Sequence, residues 1–142
     1  MRPKIFINLP VADLQKSMDF YTKIGFVNNP HFTDHTAAAM KLSEEIYVML
    51  LTHEKFSQFT SKQISDTAKT TSAIYALEMG SPDLMNKMAN DALAAGAKES
   101  AEAKDYGFMQ QRSFEDLDGH LWEVFYMDMS KFPQQNTVAN EK

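Results

Sequence analysis

The sequence predicts an α+β fold in which one strand–helix–strands pattern occurs twice within a single chain. Three observations carry that reading. A strand runs into a capped helix near the start, a second such pair follows about 70 residues later with like residues in like places, and two strands joined by a short turn close each half. A half of this size leaves one sheet face and one helix stripe uncovered, so pairing the halves is the natural way to bury both.

The elements follow in order. Ile5 to Val11 reads as a strand, with Pro10 near its end suggesting an edge position. Asp13 caps a helix whose apolar residues Leu14, Met18, Tyr21 and Ile24 recur at helical spacing, and Gly25 stops it. Phe26-Val27 is a weak strand; Thr36 to Leu42 and Ile46 to Thr52 are two strands joined by a polar turn. In the second half Ala73 to Met79 is again a strand, and Ser81 (N-cap) with Pro82 (first helical position) opens a helix. Met85, Met88, Ala89, Ala92 and Leu93 form its apolar stripe and Gly96 ends it. A weak strand near Lys98-Glu99 precedes Gly107 to Phe114 and His120 to Met127, two strands joined by Asp116-Leu117-Asp118-Gly119. Leu9 matches Leu77, Asp13-Leu14 matches Asp83-Leu84, Met18 matches Met88 and Gly25 matches Gly96.

His53 to Thr70 differs in kind. Thr60-Ser61-Lys62-Gln63 has capping-box spacing and predicts a short helix through Ser61–Ala68, anchored by Phe56, Phe59 and Ile64. The segment reads either as a lid over a cleft or as a linker tacked to the surface. The expected organisation is one domain over residues 1–128, with module one at 3–52, a connecting lid at 53–70 and module two at 71–128. A C-terminal tail takes residues 129–142, and from Pro133 it is polar and lacks periodicity.

Bulk properties narrow the function. The 142 residues suffice for one compact core, and 44% apolar with 23% charged residues is too hydrophobic for disorder. A net charge of −5 without a Lys/Arg cluster argues against nucleic acid as a partner. The absence of cysteine removes disulfides, thiolate metal sites and thiol nucleophiles, and fits a reducing compartment. Met1-Arg2-Pro3-Lys4 leads into a short apolar strand rather than a signal-peptide core, and no apolar run is long enough to span a membrane. A cytoplasmic protein without a membrane partner is expected. There is no Ser-His-Asp order with supporting motifs, no Gly-rich phosphate loop and no dinucleotide fingerprint.

One residue stands out. The strand Leu121-Trp122-Glu123-Val124-Phe125-Tyr126 holds a single acid among large apolar residues. An ionised carboxylate in an apolar setting needs a metal, a donor, a raised pKa or a water-filled concave surface. Glu123 is either an outward residue on a solvated face or aimed into a cleft. The histidines offer less: His31 and His35 follow Pro30 in a stretch without helical pattern, His120 follows a tight turn and is expected to face solvent, and His53 lies just past a strand, within reach of a cleft.

The start Ile7-Asn8-Leu9-Pro10-Val11-Ala12-Asp13-Leu14 with Ser17, Phe20 and Tyr21, then Gly25-Phe26, and the ending Phe114-Glu115-Asp116-Leu117-Asp118-Gly119-His120-Leu121-Trp122-Glu123 together carry a resemblance. Over roughly residues 3 to 128 the chain resembles the vicinal oxygen chelate superfamily of glyoxalase I, bleomycin-resistance proteins and extradiol dioxygenases. Within it, the chain most resembles bacterial proteins described as predicted lactoylglutathione lyases. The resemblance implies two βαβββ modules forming an incomplete barrel around a cleft, with the helices outside and a homodimer as the expected assembly. It also implies a divalent metal held by one side chain from each of four strands. Phe6, Leu50 and Ile74 stand at the first three of those positions and only Glu123 remains, so no metal ligand set is assigned and a weak or non-standard divalent metal is the only kind left open.

If the resemblance holds, strand alternation turns Phe6, Asn8, Val48, Leu50, Ile74, Ala76, Leu121, Glu123 and Phe125 into the cleft, and Ile7, Leu9, Met49, Leu51, Tyr75, Leu77, Trp122, Val124 and Tyr126 toward the helices. Glu123 is then the candidate catalytic residue. Phe6, Asn8, Leu50, His53, Ile74, Tyr106, Gln110, Arg112 and Phe125 are the candidate ligand-binding residues, with Tyr106 at the rim; Gln110 and Arg112 share one face, whose side the turn leaves open, and on the cleft side they would neutralise Glu123 or meet an anion. Two functions follow: a glyoxalase-like enzyme using Glu123 as base on a carbonyl compound, or a metal-free protein that sequesters a small molecule without chemistry.

Overall fold

The structure, a computed structural model, describes residues 1–133; the end of the expected tail lies outside the described residues. Module one runs β1 (Ile5–Val11), α1 (Leu14–Lys23), β2 (Val27–Asn29), a 3₁₀ turn at Pro30–Phe32, β3 (Ala37–Lys41) and β4 (Ile46–Thr52). After the short α2 (His53–Phe56), module two repeats the order with β5 (Ile74–Glu78), α3 (Pro82–Ala94), β6 (Lys98–Asp105), β7 (Met109–Glu115) and β8 (Leu121–Met127). The result is α+β: two four-stranded mixed sheets, ordered β1-β4-β3-β2 and β5-β8-β7-β6 and not closed into a barrel among the described residues. In each, the strand before the helix pairs in parallel with the last strand of its module.

The helix ends follow local chemistry. The Asp13 carboxylate accepts from the Lys16 N–H, and the Ser81 hydroxyl accepts from the Leu84 N–H with Pro82 at the first helical position. Gly25 and Gly96 take positive φ just past the two helices, where a side chain would be strained.

The expected helix through Ser61–Ala68 does not form; that stretch is bends and turns. Its capping residue bonds otherwise: the Lys62 N–H donates to the Thr60 hydroxyl, a local turn that competes with helix initiation. The helical turn of this segment is instead α2, capped by Thr52.

Each helix packs on one face of its own sheet, and α1 also reaches module two. Phe20 lies against Phe114, and Tyr21 against Trp122, so Leu9, Val48, Leu50, Met88, Phe114, Trp122 and Val124 share one core. Burial of this apolar surface is the main stabilising term. A polar lock sits at the junction. Tyr21 donates to the Asp116 carboxylate at 2.5 Å and accepts from the Trp122 indole at 3.0 Å, while Asp116 also accepts from the backbone N–H groups of Asp118 and His120. His120, expected at the surface, is 6% exposed, with its Nε2 at 2.8 Å from the Pro10 carbonyl oxygen. The contact joins residues 110 positions apart, which a local reading of the turn does not contain. Burial pushes the Asp116 carboxyl above its usual value, and burial together with the Asp116 charge pushes the Tyr21 phenol well up.

The connecting segment is seated on this junction. The Thr67 hydroxyl donates to the Asp118 carbonyl, and a Cβ on Gly119 would come within 2.3 Å of the Thr67 carbonyl oxygen. Gly119, at φ +91°, thus both turns the chain and lets the linker pass.

Candidate functional site

Because both sheets turn their helix-side faces into one core, their other faces open outward. Register fixes which side chains lie on them. On sheet one Phe6 pairs with Tyr47 and Asn8 with Met49; Met49 and Tyr47 pair in turn with Ala39 and Lys41. On sheet two Ile74, Ala76 and Glu78 pair with Leu121, Glu123 and Phe125, and Ser113 and Glu115 of β7 share that face. Phe6 and Ile74 are 52% and 53% exposed, so each face is open at these residues, while α2 and the connecting segment lie by Asn8 and Pro10 at the other end of face one.

The open face of sheet one holds a cleft of about 630 Å³. Its floor is Phe6, Tyr47 and Met49, and Val27, Pro30 and Phe32 wall one side. The Phe6 and Tyr47 rings stack with centroids 4.4 Å apart and planes 11° from parallel. Such a surface offers a flat molecule both apolar area and ring contacts.

The expected site residues divide. Phe6 and Asn8 lie on open face one, and Ile74, Glu123 and Phe125 on open face two. Leu50 does not face a cleft: it pairs with Leu9, is 0% exposed and belongs to the core, as does Val48, while Met49 takes the open side. Arg112 and Gln110 are also on the helix side. They pair with Val124 and Tyr126, and the Arg112 guanidinium donates to the side-chain oxygens of Asn86 and Asn90 on α3, at 3.2 and 2.8 Å, with Glu99 at 3.9 Å. They cannot neutralise Glu123 from there. Tyr106 is exposed at the β6–β7 turn. His53 opens α2 and lines a second cleft with Asp66, Thr67 and Asp118 at the junction rather than either open face.

Open face two is less apolar than expected. Glu78, Glu123 and Glu115 fall on a diagonal across β5, β8 and β7, with Ser113 and Gln111 beside them. Among the described residues Glu123 has no ion-pair or hydrogen-bond partner.

A family model for the glyoxalase/bleomycin resistance protein/dioxygenase superfamily matches residues 5–124. The chain belongs to that superfamily. Its members bind small molecules. Solved structures agree on the fold. A hypothetical protein from S. aureus superposes with a TM-score of 0.73 at 23% identity, covering 89% of this chain and 95% of that one. A glyoxalase-related enzyme from Fulvimarina pelagi gives 0.74 at 16%, covering 89% and 88%. A genomically encoded fosfomycin resistance protein from Listeria monocytogenes gives 0.64 at 16%, covering 92% and 98%. A search of the curated proteins found no match.

The divalent metal that the superfamily implies does not fit the residues present. Phe6 and Ile74 carry no donor atom, and Leu50 is in the core. Its open-side neighbours on β4 supply a phenol (Tyr47) and a thioether (Met49), which are poor partners for a hard cation beside one carboxylate. Among the described residues no three His, Asp or Glu side chains are placed to share a metal ion, and no helix is long and apolar enough to cross a membrane. Within one chain Glu123 lies outside the Phe6 cleft, whose lining comes from module one alone.

Proposed function

We propose that this superfamily member binds a small apolar or aromatic molecule in the Phe6–Tyr47 cleft and sequesters it, with neither metal nor chemistry. The stacked ring pair on an open, mostly apolar surface is the observation that carries this reading. A lyase would need a base or a Lewis acid beside the bound molecule, and among the described residues of one chain no carboxylate or histidine lines the cleft. In this reading the ancestral metal site is degenerate, the working unit is a cytoplasmic homodimer, and half-exposed Ile74, outside the cleft, is the kind of apolar surface a second copy covers.

The test is thermal unfolding of the purified protein with naphthamide, a flat neutral probe. A ligand that binds only the folded form raises the Tm with concentration, and that rise is expected. Turnover of a carbonyl compound lost in Glu123→Gln, or stoichiometric metal in protein purified without added ions, would overturn the reading. A monomer by sedimentation equilibrium at working concentration would overturn the dimer.

A further inference from the structure

Resting on that reading, the geometry points to a narrower ligand class: we propose that the cleft takes flat aromatic molecules that carry an anionic group, a carboxylate or its equivalent.

The argument starts from charge. The chain has a net charge of −5, yet among the described residues the one charged residue lining the cleft, Lys41, is a cation. Lys41 lies directly across from Tyr47 on the open face. From the other side the Lys4 ammonium sits 5.6 Å from the centre of the Tyr47 ring. Tyr47, half of the stacked pair, thus has the Lys4 ammonium by its ring and Lys41 beside it on the neighbouring strand. Local acids answer only part of this charge. Glu44 pairs with Lys41 and also lies within reach of the Lys4 charge, and Glu45 pairs with Arg2 at 2.6 Å, while Lys4 has no carboxylate within ion-pair distance among the described residues.

The corresponding face of module two is the reverse, with Glu78, Glu115 and Glu123 on its open side. A molecule whose rings pack against the edges of the Phe6–Tyr47 stack can place a substituent beside Lys4 and Lys41. A negative group there meets donors and positive potential; a positive group meets like charge, which is unfavourable. Both lysines are solvated, so the preference is modest and falls with salt.

The test uses matched probes of one ring system, namely naphthoate, naphthamide and naphthylmethylamine, titrated calorimetrically into the full chain at low salt. Naphthoate is expected to bind tighter than naphthamide by about threefold or more, and naphthylmethylamine weaker than both, with the spread shrinking near about 0.5 M salt. Glu44→Gln, which frees Lys41 from its partner, strengthens naphthoate and leaves naphthamide unchanged. Lys4→Gln combined with Lys41→Gln removes the preference and keeps the naphthamide affinity. Equal binding of naphthoate and naphthamide by the wild type, or a preference that survives the double substitution, overturns the anion assignment and leaves the aromatic cleft standing. Failure of all three probes to bind overturns the cleft reading as well.

Discussion

The two open faces are built by the same module twice, and they have become chemically opposite. Face one presents the Phe6–Tyr47 stack, Met49 and a cationic end; face two presents Ile74, Ala76, Leu121 and Phe125 around a diagonal of three glutamates. The helix-side faces stayed alike. Leu9 and Leu77, and Val48 with Leu50 against Trp122 with Val124, fill equivalent places in the shared core. The surface that folding needs is apolar in both modules, because it is buried against partners that constrain its shape. The surface that meets solvent or ligand is not so constrained, so correspondence between the modules predicts core and says little about the site.

The contrast can be broken most forcefully along one strand. Trp122 and Phe125 are three residues apart on β8 and lie on opposite faces. Trp122→Ala should cost about 3–5 kcal/mol in denaturant unfolding, the range for a large aromatic removed from a packed core. Phe125→Ala should cost no more than about 1 kcal/mol. Equal costs would mean that open face two is core after all.

A second, smaller effect separates the faces at Arg112. Its guanidinium ties β7 to α3 through Asn86 and Asn90, so Arg112→Met should lower stability by about 1–2 kcal/mol and leave probe binding unchanged. Loss of binding with stability intact would return Arg112 to the site.

The smallest effect concerns the junction that holds both faces outward. Burial raises the folded-state value of the Asp116 carboxyl above the unfolded one, so the folded chain holds this proton more tightly. Protonation therefore favours the fold, and the advantage is lost as pH climbs from below the unfolded value through the folded one. The Tm of the wild type minus that of Asp116→Asn should fall as pH rises from below the ordinary carboxylate range through the raised value of the buried Asp116 carboxyl. A rising difference would contradict the sign.

Much of this architecture was legible in the sequence. β1 and β4 have their expected bounds, both helix caps are where Asp13 and Ser81 predicted them, and alternation assigned the faces of β1, β5 and β8 correctly. It failed on β4, because Tyr47-Val48-Met49-Leu50-Leu51 is an unbroken apolar run in which no periodicity marks a side. There the parallel register with β1 decides, setting Leu50 beside Leu9. The parity of Gln110 and Arg112 hung on how the Asp116–Gly119 turn closes, and the burial of His120 on a contact with Pro10. The cleft was half legible, since Phe6 was placed on it while Tyr47, its stacking partner, was not assigned to any site.

The most direct measurement is calorimetric titration of naphthamide into three proteins: wild type, Phe6→Ala and Glu123→Gln. If the ligand lies on face one, Phe6→Ala weakens binding by about tenfold, the scale of a lost ring contact and its buried area, and Glu123→Gln binds as the wild type does. Binding that survives Phe6→Ala and is lost in Glu123→Gln would place the site on the acidic face and contradict the account.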